Sequence, residues 1–177
     1  MKFKKKNYTS QVDEMDSGCA ALSMILKSYG TEKSLASLRL LAGTTIEGTS
    51  ALGIKKAAEE LNFSVQALRT DASLFDMKEV PYPFIAHVIK NQKYPHYYVI
   101  TGANKNSVFI ADPDPIVKMT KLSKEVFYRN GQALVYFFRL PHLISPLKKK
   151  LLHYYLLSQL SPVKRKSFSI LLLPHSL

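Results

Sequence analysis

Hydrophobic residues in the first third of the chain recur at steps of three and four residues, which is the spacing of helices that bury one face. The strongest run predicts a helix over residues 17–29, with Asp16 as its N-cap and Gly30 as its C-cap. Its predicted buried face carries Ala20, Ala21, Met24, Ile25 and Tyr29. The first expected element is therefore a helix near the start of the chain.

Two shorter helices are expected after this one. The second spans residues 34–42, and its inward side is predicted to carry Leu35, Leu38, Leu40 and Leu41. The third follows the capping pair at residues 49–50 and continues to Leu61. The first 61 residues therefore favour a helical layer.

Beyond residue 62 the pattern changes to short runs that suit β-strands. Strands are predicted over residues 64–69, 84–89, 96–101, 107–111 and 133–138. Residues 74–78 are expected to form a turn or a short helix. The turn-forming connections at residues 91–93 and 102–106 predict antiparallel hairpins. Helices followed by strands predict an α+β fold, with N-terminal helices packed on an antiparallel sheet.

Composition is that of a folded domain with an uneven charge. The chain has 177 residues, of which 46% are hydrophobic and 21% charged, and its formal net charge is +12. Residues 1–127 carry a net charge of +4, and residues 128–177 carry the remaining +8. A nucleic-acid-binding domain usually places its basic residues on the folded surface that meets phosphate. The charge distribution therefore argues against nucleic acid as a partner.

The cysteine and glycine residues exclude several kinds of site. Cys19 is the one cysteine, so an internal disulfide is excluded, and no Cys/His cluster has zinc-ligand spacing. Cys19 lies roughly 200° around the predicted helix from Ser17, and we interpret it as a small buried hydrophobic residue. No glycine-rich phosphate loop is present. The sequence therefore implies neither a metal nor a cofactor.

Three places carry side chains suited to nucleophilic catalysis. Ser17 opens the first predicted helix, where the helix dipole and free N–H groups stabilise negative charge. His96 begins one predicted strand and Asp112 ends the next, so a hairpin would bring Asp112 near the imidazole to orient it. Each residue alone also has a structural interpretation: a helix-start serine, a surface or core histidine, and a turn aspartate.

Taken together, these segments resemble a known family. The pattern Gln11-x-Asp13-x-x-Asp16-Ser17-Gly18 is similar to the opening of the double-glycine leader peptidases. These papain-like cysteine peptidase domains begin the peptidase-containing ABC exporters of bacteriocins and competence peptides. His96-Tyr97-Tyr98-Val99 and Ile110-Ala111-Asp112-Pro113 resemble the histidine and aspartate motifs of the family, in the same order. The resemblance covers about residues 7–127 and is nearest to streptococcal competence-peptide exporters.

The resemblance implies a papain-like cysteine peptidase fold for residues 1–127. It also implies an endopeptidase that cleaves the leader of a secreted peptide precursor after a Gly-Gly pair. By motif match, His96 is the general base, Asp112 orients it, and Gln11 belongs to the oxyanion hole. The implied partners are the leader peptide and the membrane and ATPase domains of an ABC exporter. The implied location is the cytoplasm, at the cytoplasmic face of the membrane in a full transporter.

Ser17 departs from the family, which has its cysteine nucleophile at this position. A serine hydroxyl is less acidic and less nucleophilic than a thiol. We therefore expect this chain to bind leader peptide and to cleave it very slowly or not at all. The alternative function is a catalytically inactive leader-binding module of a transporter.

Residues 128–177 depart from the family as well. They contain eight basic and no acidic side chains, where family members have a Trp-containing strand and a linker to the membrane domain. Residues 128–133 can be encoded by nucleotides that read Ser-Glu-Trp-Thr-Gly in a shifted frame. We therefore hypothesise a frameshifted tail that replaces the last strand and the linker, which resequencing of the gene tests. The alternative is a natural linker with an amphipathic helix over residues 147–157 on a membrane surface.

Overall fold

Helices precede an antiparallel sheet in the structure, as the sequence pattern predicts. The computed structural model describes residues 2–70, 72–77, 79–91, 93–129 and 133–139, which all belong to the compact unit of residues 1–143. The α-helices in this part of the chain are α1 (Ser17–Ser28), α2 (Leu35–Ala42), α3 (Ala51–Glu60) and α4 (Lys124–Arg129). The strands are β1 (Ser64–Thr70), β2 (Phe84–Lys90), β3 (Tyr94–Ala103), β4 (Ser107–Ala111), β5 (Met119–Ser123) and β6 (Ala133–Arg139).

Helix α1 is the centre of the core. Its first ten residues are all buried, because this segment is apolar or small on nearly every side and packs against β3, α2 and α3. The helix ends at Ser28, and Gly30 follows with a φ of +82°, a left-handed conformation that glycine adopts without strain. The predicted helix and its closing glycine are therefore confirmed.

The sheet has the strand order β1-β6-β2-β3-β4-β5, and every neighbouring pair is antiparallel. The predicted hairpins are β2–β3 and β3–β4, so the α+β fold class is confirmed. Strand β6 lies between β1 and β2, although it follows β5 in the chain. Strand β3 has β2 on one side and β4 on the other, and both pairs are antiparallel. The last residues of β2, the first residues of β3 and the last residues of β4 therefore lie at the same end of the sheet.

One prediction about the helices is confirmed in position only, and another is wrong. Asp16 is the N-cap residue of α1, but its side chain makes no capping hydrogen bond, because the carboxylate instead binds Arg39. Leu40 is 84% exposed and does not face the core. Positions two apart on a helix are separated by roughly 200°, so Leu38, which is fully buried, and Leu40 lie on opposite faces.

Two elements, β5 and α4, were not predicted from the sequence. The turn or short helix predicted over residues 74–78 is a 3-10 helix at Ala72–Asp76. The predicted strand over residues 133–138 is β6, which lies beyond the predicted domain boundary at residue 127. The predicted helix over residues 147–157 and the rest of the tail from residue 140 lie outside the described residues. No helix among the described residues is both long and apolar enough to cross a membrane.

Candidate active site

An ion pair with a buried carboxylate fixes the segment that leads into α1. The fully buried carboxylate of Asp16 binds Nε and Nη2 of Arg39, and it accepts the backbone N–H groups of Val12 at 3.2 Å and Asp13 at 3.4 Å. Burial alone would raise the pKa of Asp16, but the hydrogen bonds from Arg39 and from the two backbone groups hold it below its usual value. This charged anchor sets the position at which Ser17 begins the helix.

Gly18 brings the start of α1 against strand β3. A Cβ atom on Gly18 would lie 2.8 Å from Cβ of Thr49 and 3.2 Å from Cε2 of Tyr97, distances that leave no room for a side chain. The Tyr97 hydroxyl also donates to the carbonyl oxygen of Thr49 at 2.9 Å. Ser17, which is buried, therefore lies one residue from this contact, and His96 lies one residue from it on β3.

His96 and Asp112 form a buried pair, which confirms the predicted proximity of the two motifs. Nε2 of His96 is 2.6 Å from Oδ1 of Asp112, and Asp112 is only 1% exposed. Because an ionised carboxylate only accepts hydrogen bonds, Nε2 carries the proton and Nδ1 is left as an acceptor. Within the described residues Nδ1 has no hydrogen-bond partner, so it is available to take a proton.

The Asp112 carboxylate is ionised because three donors surround it. Burial would raise its pKa, but the hydrogen bond and charge of His96, the backbone N–H of Asp114 and the ammonium group of Lys90 lower it below its usual value. The N–H of Asp114 lies 2.9 Å from Oδ1, and Nζ of Lys90 lies 2.9 Å from Oδ2. Lys90 was not predicted as a site residue. Its contact joins the ends of β2 and β4, which flank β3, and the predicted hairpins do not by themselves pair these two strands.

Gln11 lies against the loop that carries Asp112. Its backbone N–H donates to the carbonyl oxygen of Pro113 at 2.9 Å, and the Tyr8 hydroxyl donates to the carbonyl oxygen of Asp112 at 3.0 Å. The side-chain Oε1 of Gln11 is buried and has no hydrogen-bond partner among the described residues. A buried amide without a partner is uncommon in folded proteins, and functional sites are one setting where it occurs.

Cys19 is buried, as predicted, but its surroundings are not apolar. Its sulfur lies 3.2 Å from Oγ1 of Thr44 and 3.5 Å from Oγ1 of Thr49, in the connection between α2 and α3. His96 instead lies on β3 and contacts Asp112. The thiol therefore belongs to a polar cluster with the two threonines.

The arrangement contains parts of a nucleophilic hydrolase. Ser17 begins α1 one residue before the contact of Gly18 with Tyr97, and the preceding residue on β3, His96, carries an imidazole that an ionised carboxylate orients. No hydrogen bond joins the Ser17 hydroxyl to His96 within the described residues. In the same part of the chain, no group of three or more His, Cys, Asp or Glu side chains is placed to hold a metal ion.

Comparison with known families gives the same assignment as the sequence motifs. Residues 5–139 match the model of the Peptidase C39 family. The chain belongs to the peptidase C39 family. The match extends past Asp112 and includes the whole of β6, so every strand described above lies within the C39 region.

Similar C39 proteins are much longer than this chain. It is 81% identical over 150 residues to the lactococcin-A transport/processing ATP-binding protein LcnC of Lactococcus lactis, covering 85% of this chain and 21% of LcnC. It is 53% identical over 127 residues to the transport/processing ATP-binding protein ComA of Streptococcus pneumoniae, covering 72% of this chain and 18% of ComA. The chain therefore spans about a fifth of the length of these curated relatives.

Solved C39 structures share the fold. The peptidase domain of Streptococcus ComA superposes with a TM-score of 0.71 at 44% identity, covering 73% of this chain and 95% of that domain. A double-glycine motif protease of an AMS/PCAT transporter, solved with its leader peptide, gives a TM-score of 0.65 at 26% identity and covers 73% of this chain and 87% of the other. These matches confirm the predicted family and the papain-like α+β fold.

Proposed function

We propose that this chain is the leader-peptidase domain of a bacteriocin or competence-peptide ABC exporter, and that Ser17 leaves it able to bind double-glycine leaders while severely impairing cleavage. The observation that carries this proposal is the buried His96–Asp112 pair beside a helix that begins at Ser17. Membership of the C39 family supports the peptidase class.

In this proposal each site residue has one role. His96 takes the proton of the nucleophile at Nδ1, because Nε2 donates to Asp112. Asp112 holds the imidazole in that tautomer and stabilises the imidazolium that forms. The Gln11 amide and the N–H groups at the start of α1 stabilise the oxyanion of the tetrahedral intermediate. The donor to the oxyanion in this role is the Nε2 end of the Gln11 amide, because Oε1 only accepts hydrogen bonds.

The nucleophile is the weak part of this machinery. A thiol is a few per cent ionised near neutral pH and attacks carbonyl carbon readily, whereas a serine hydroxyl stays protonated and needs a general base to take its proton as it attacks. The missing hydrogen bond between Ser17 and His96 supports a serine that is not activated in the free protein. Cys19 does not replace it, because its sulfur is buried against Thr44 and Thr49.

An exposed apolar surface near Ser17 suits the leader. Its members come from the segment before α1, from α2, from the following turn and from α3: Val12, Met15, Leu40, Ile46 and Leu52. These segments meet, because Arg39 binds Asp16 and the turn at Gly48 packs on Met15. We propose that an amphipathic leader helix docks on this apolar surface and extends its Gly-Gly end toward Ser17. The other partners would be the membrane and ATPase domains of the exporter, with the domain on the cytoplasmic side.

The test compares this protein with its Ser17→Cys variant on a synthetic Gly-Gly leader peptide, with products followed by mass. We expect cleavage after Gly-Gly by the cysteine variant, at least roughly a hundredfold faster than by the serine form. A Ser17→Cys/His96→Ala double variant is the matched control and should lose the gained activity. Equal cleavage by the serine and cysteine forms would contradict the proposed effect of Ser17.

A second candidate function is a leader-binding module without catalysis, which Ser17 itself favours. Titration of a fluorescent leader into the Ser17 protein measures binding directly. Binding without turnover, together with an inactive Ser17→Cys variant, would favour the binding module. Binding together with cleavage by Ser17→Cys would favour an impaired peptidase.

A further inference from the structure

Lys90 is the last residue of β2, and it reaches the carboxylate that orients His96. Its Nζ lies 2.9 Å from Oδ2 of Asp112 and 3.3 Å from Oδ2 of Asp114. His96 approaches the other carboxylate oxygen of Asp112 at 2.6 Å. The imidazole, the carboxylate and the ammonium group therefore form a row across the ends of β3, β4 and β2.

The two oxygens of Asp112 are satisfied in different ways. Oδ1 accepts two hydrogen bonds, from Nε2 of His96 and from the backbone N–H of Asp114. Oδ2 accepts one, from Lys90, and it has no other donor among the described residues. Asp112 is 1% exposed, and a charged oxygen left without a donor in such a place is costly.

We propose that Lys90 is a positioning residue of the site: by holding Oδ2 of Asp112 it keeps this carboxylate ionised and keeps Oδ1 directed at Nε2 of His96. The proposal rests on the proposed function for its effect on cleavage, but its effect on Asp112 is a property of the fold alone. Lys90 remains about a quarter exposed and also contacts Asp114, so its ammonium group joins β2 to the loop after β4.

Other titratable groups also lie around the Asp112 carboxylate, but their roles differ from that of Lys90. Tyr8 from the N-terminal segment and Tyr98 from β3 have their pKa raised, by burial first and by the charges of Asp112 and Asp114 second. His87 on β2 has its pKa lowered by burial and by the charge of His96. The tyrosines are neutral near pH 7, so among the described residues Lys90 is the side chain whose permanent positive charge contacts the Asp112 carboxylate.

Removing the ammonium group should affect protonation of Asp112 before it affects packing. In a Lys90→Met variant, Oδ2 loses its one donor, so the pKa of Asp112 rises and the carboxyl group accepts a proton at higher pH. A neutral Asp112 stabilises the imidazolium of His96 less well. The acid limb of the pH–activity profile should therefore move to higher pH, and kcat should fall while KM changes little.

Two measurements test this. In the Ser17→Cys background, we expect Lys90→Met to lower kcat roughly tenfold, a part of what general acid–base catalysis contributes, and Lys90→Arg to restore both kcat and the acid limb. In the Ser17 protein, a carboxyl ¹³C NMR titration of Asp112 should show a higher midpoint in Lys90→Met than in the parent. Lys93→Met is the matched control, because Lys93 is in the turn that follows Lys90 but lies over the ring of Tyr94, 5.0 Å from its centroid.

The two measurements separate this proposal from the proposed function. If Ser17→Cys does not cleave, the proposed function fails, and the NMR midpoint alone decides the role of Lys90. An Asp112 midpoint that is the same in Lys90→Met, Lys93→Met and the parent would overturn the inference. Should Lys90→Met not fold, Lys90→Arg decides, because loss of the parental midpoint with a cation retained would equally overturn it.

Discussion

At the scale of single residues, the site depends on charged groups that lie behind the proposed catalytic ones. Asp16 is fully buried and joins Arg39 to the backbone of residues 12 and 13. Gln11 directly precedes residue 12 and Ser17 directly follows Asp16, so this anchor positions both Gln11 and Ser17. The sequence motifs indicated Asp16 only as a helix cap, because its partner Arg39 is 23 residues away.

Asp16→Asn should destabilise the protein at neutral pH by about 1.5–3 kcal/mol, the scale of a hydrogen bond to a charged group. The pKa of Asp16 is lowered in the folded state, so its carboxylate stabilises the protein above the pKa of the unfolded chain. That contribution is lost as pH falls through the folded pKa. Urea unfolding from pH 7 down to pH 3 should therefore give a flatter stability profile for Asp16→Asn than for the parent.

Asp13→Asn is the matched control for this prediction. Asp13 contacts the same arginine at 2.6 Å, but its side chain is about half exposed, so the ion pair is screened by water. We expect this variant to change stability by less than about 0.5 kcal/mol. Equal effects of the two substitutions would show that burial of Asp16 is not what makes its pair important.

At the scale of elements, helix α2 has two apolar faces with different purposes. Leu38 is fully buried in the core, whereas Leu40 is 84% exposed on the opposite face. An exposed leucine costs little to replace, so Leu40→Glu should leave stability within about 0.5 kcal/mol of the parent. If the leader docks on the apolar surface, the same substitution should weaken leader binding roughly fivefold or more, as measured by fluorescence titration.

Val126→Glu serves as the control for Leu40→Glu. Val126 is also an exposed apolar residue of a helix, α4. Its replacement by glutamate adds the same charge away from the proposed docking surface. We expect Val126→Glu to bind leader like the parent. Equal weakening by both variants would indicate a general effect of charge, and no weakening by Leu40→Glu would argue against docking at α2.

The elements also show how far the sequence pattern reaches. Helices α1 to α3 and the hairpins around β3 were predictable, because their apolar periodicity and turn residues are local signals. Strand β5 was not, since its residues are mostly lysine, threonine, serine and methionine at the sheet edge, with no buried alternation. The contact of Lys90 with Asp112 was not predictable either, because it is made by two strands that flank a third.

At the scale of the whole molecule, β6 holds together two parts of the sheet that are far apart in the chain. It pairs with β1 along seven residues and with β2 at three positions. Val135, Phe137 and Phe138 are buried, and the Tyr29 hydroxyl donates to the carbonyl oxygen of Phe138 at 2.7 Å. Because β1 has no other strand neighbour within the described residues, β6 is what attaches it to the sheet.

This topology predicts opposite outcomes for two truncations. A chain of residues 1–143 keeps β6 and should unfold cooperatively in urea, whereas a chain of residues 1–127, cut at the domain boundary predicted from composition, should not. The shorter chain exposes the apolar edges of β1 and β2 and loses three buried side chains, each contributing roughly 1.5–3 kcal/mol, against a total stability of only about 5–15 kcal/mol. Far-UV circular dichroism during urea titration measures both. A cooperative transition in residues 1–127 would instead show that the domain ends before β6. The hypothesis of an atypical tail that begins at Tyr128 would then stand.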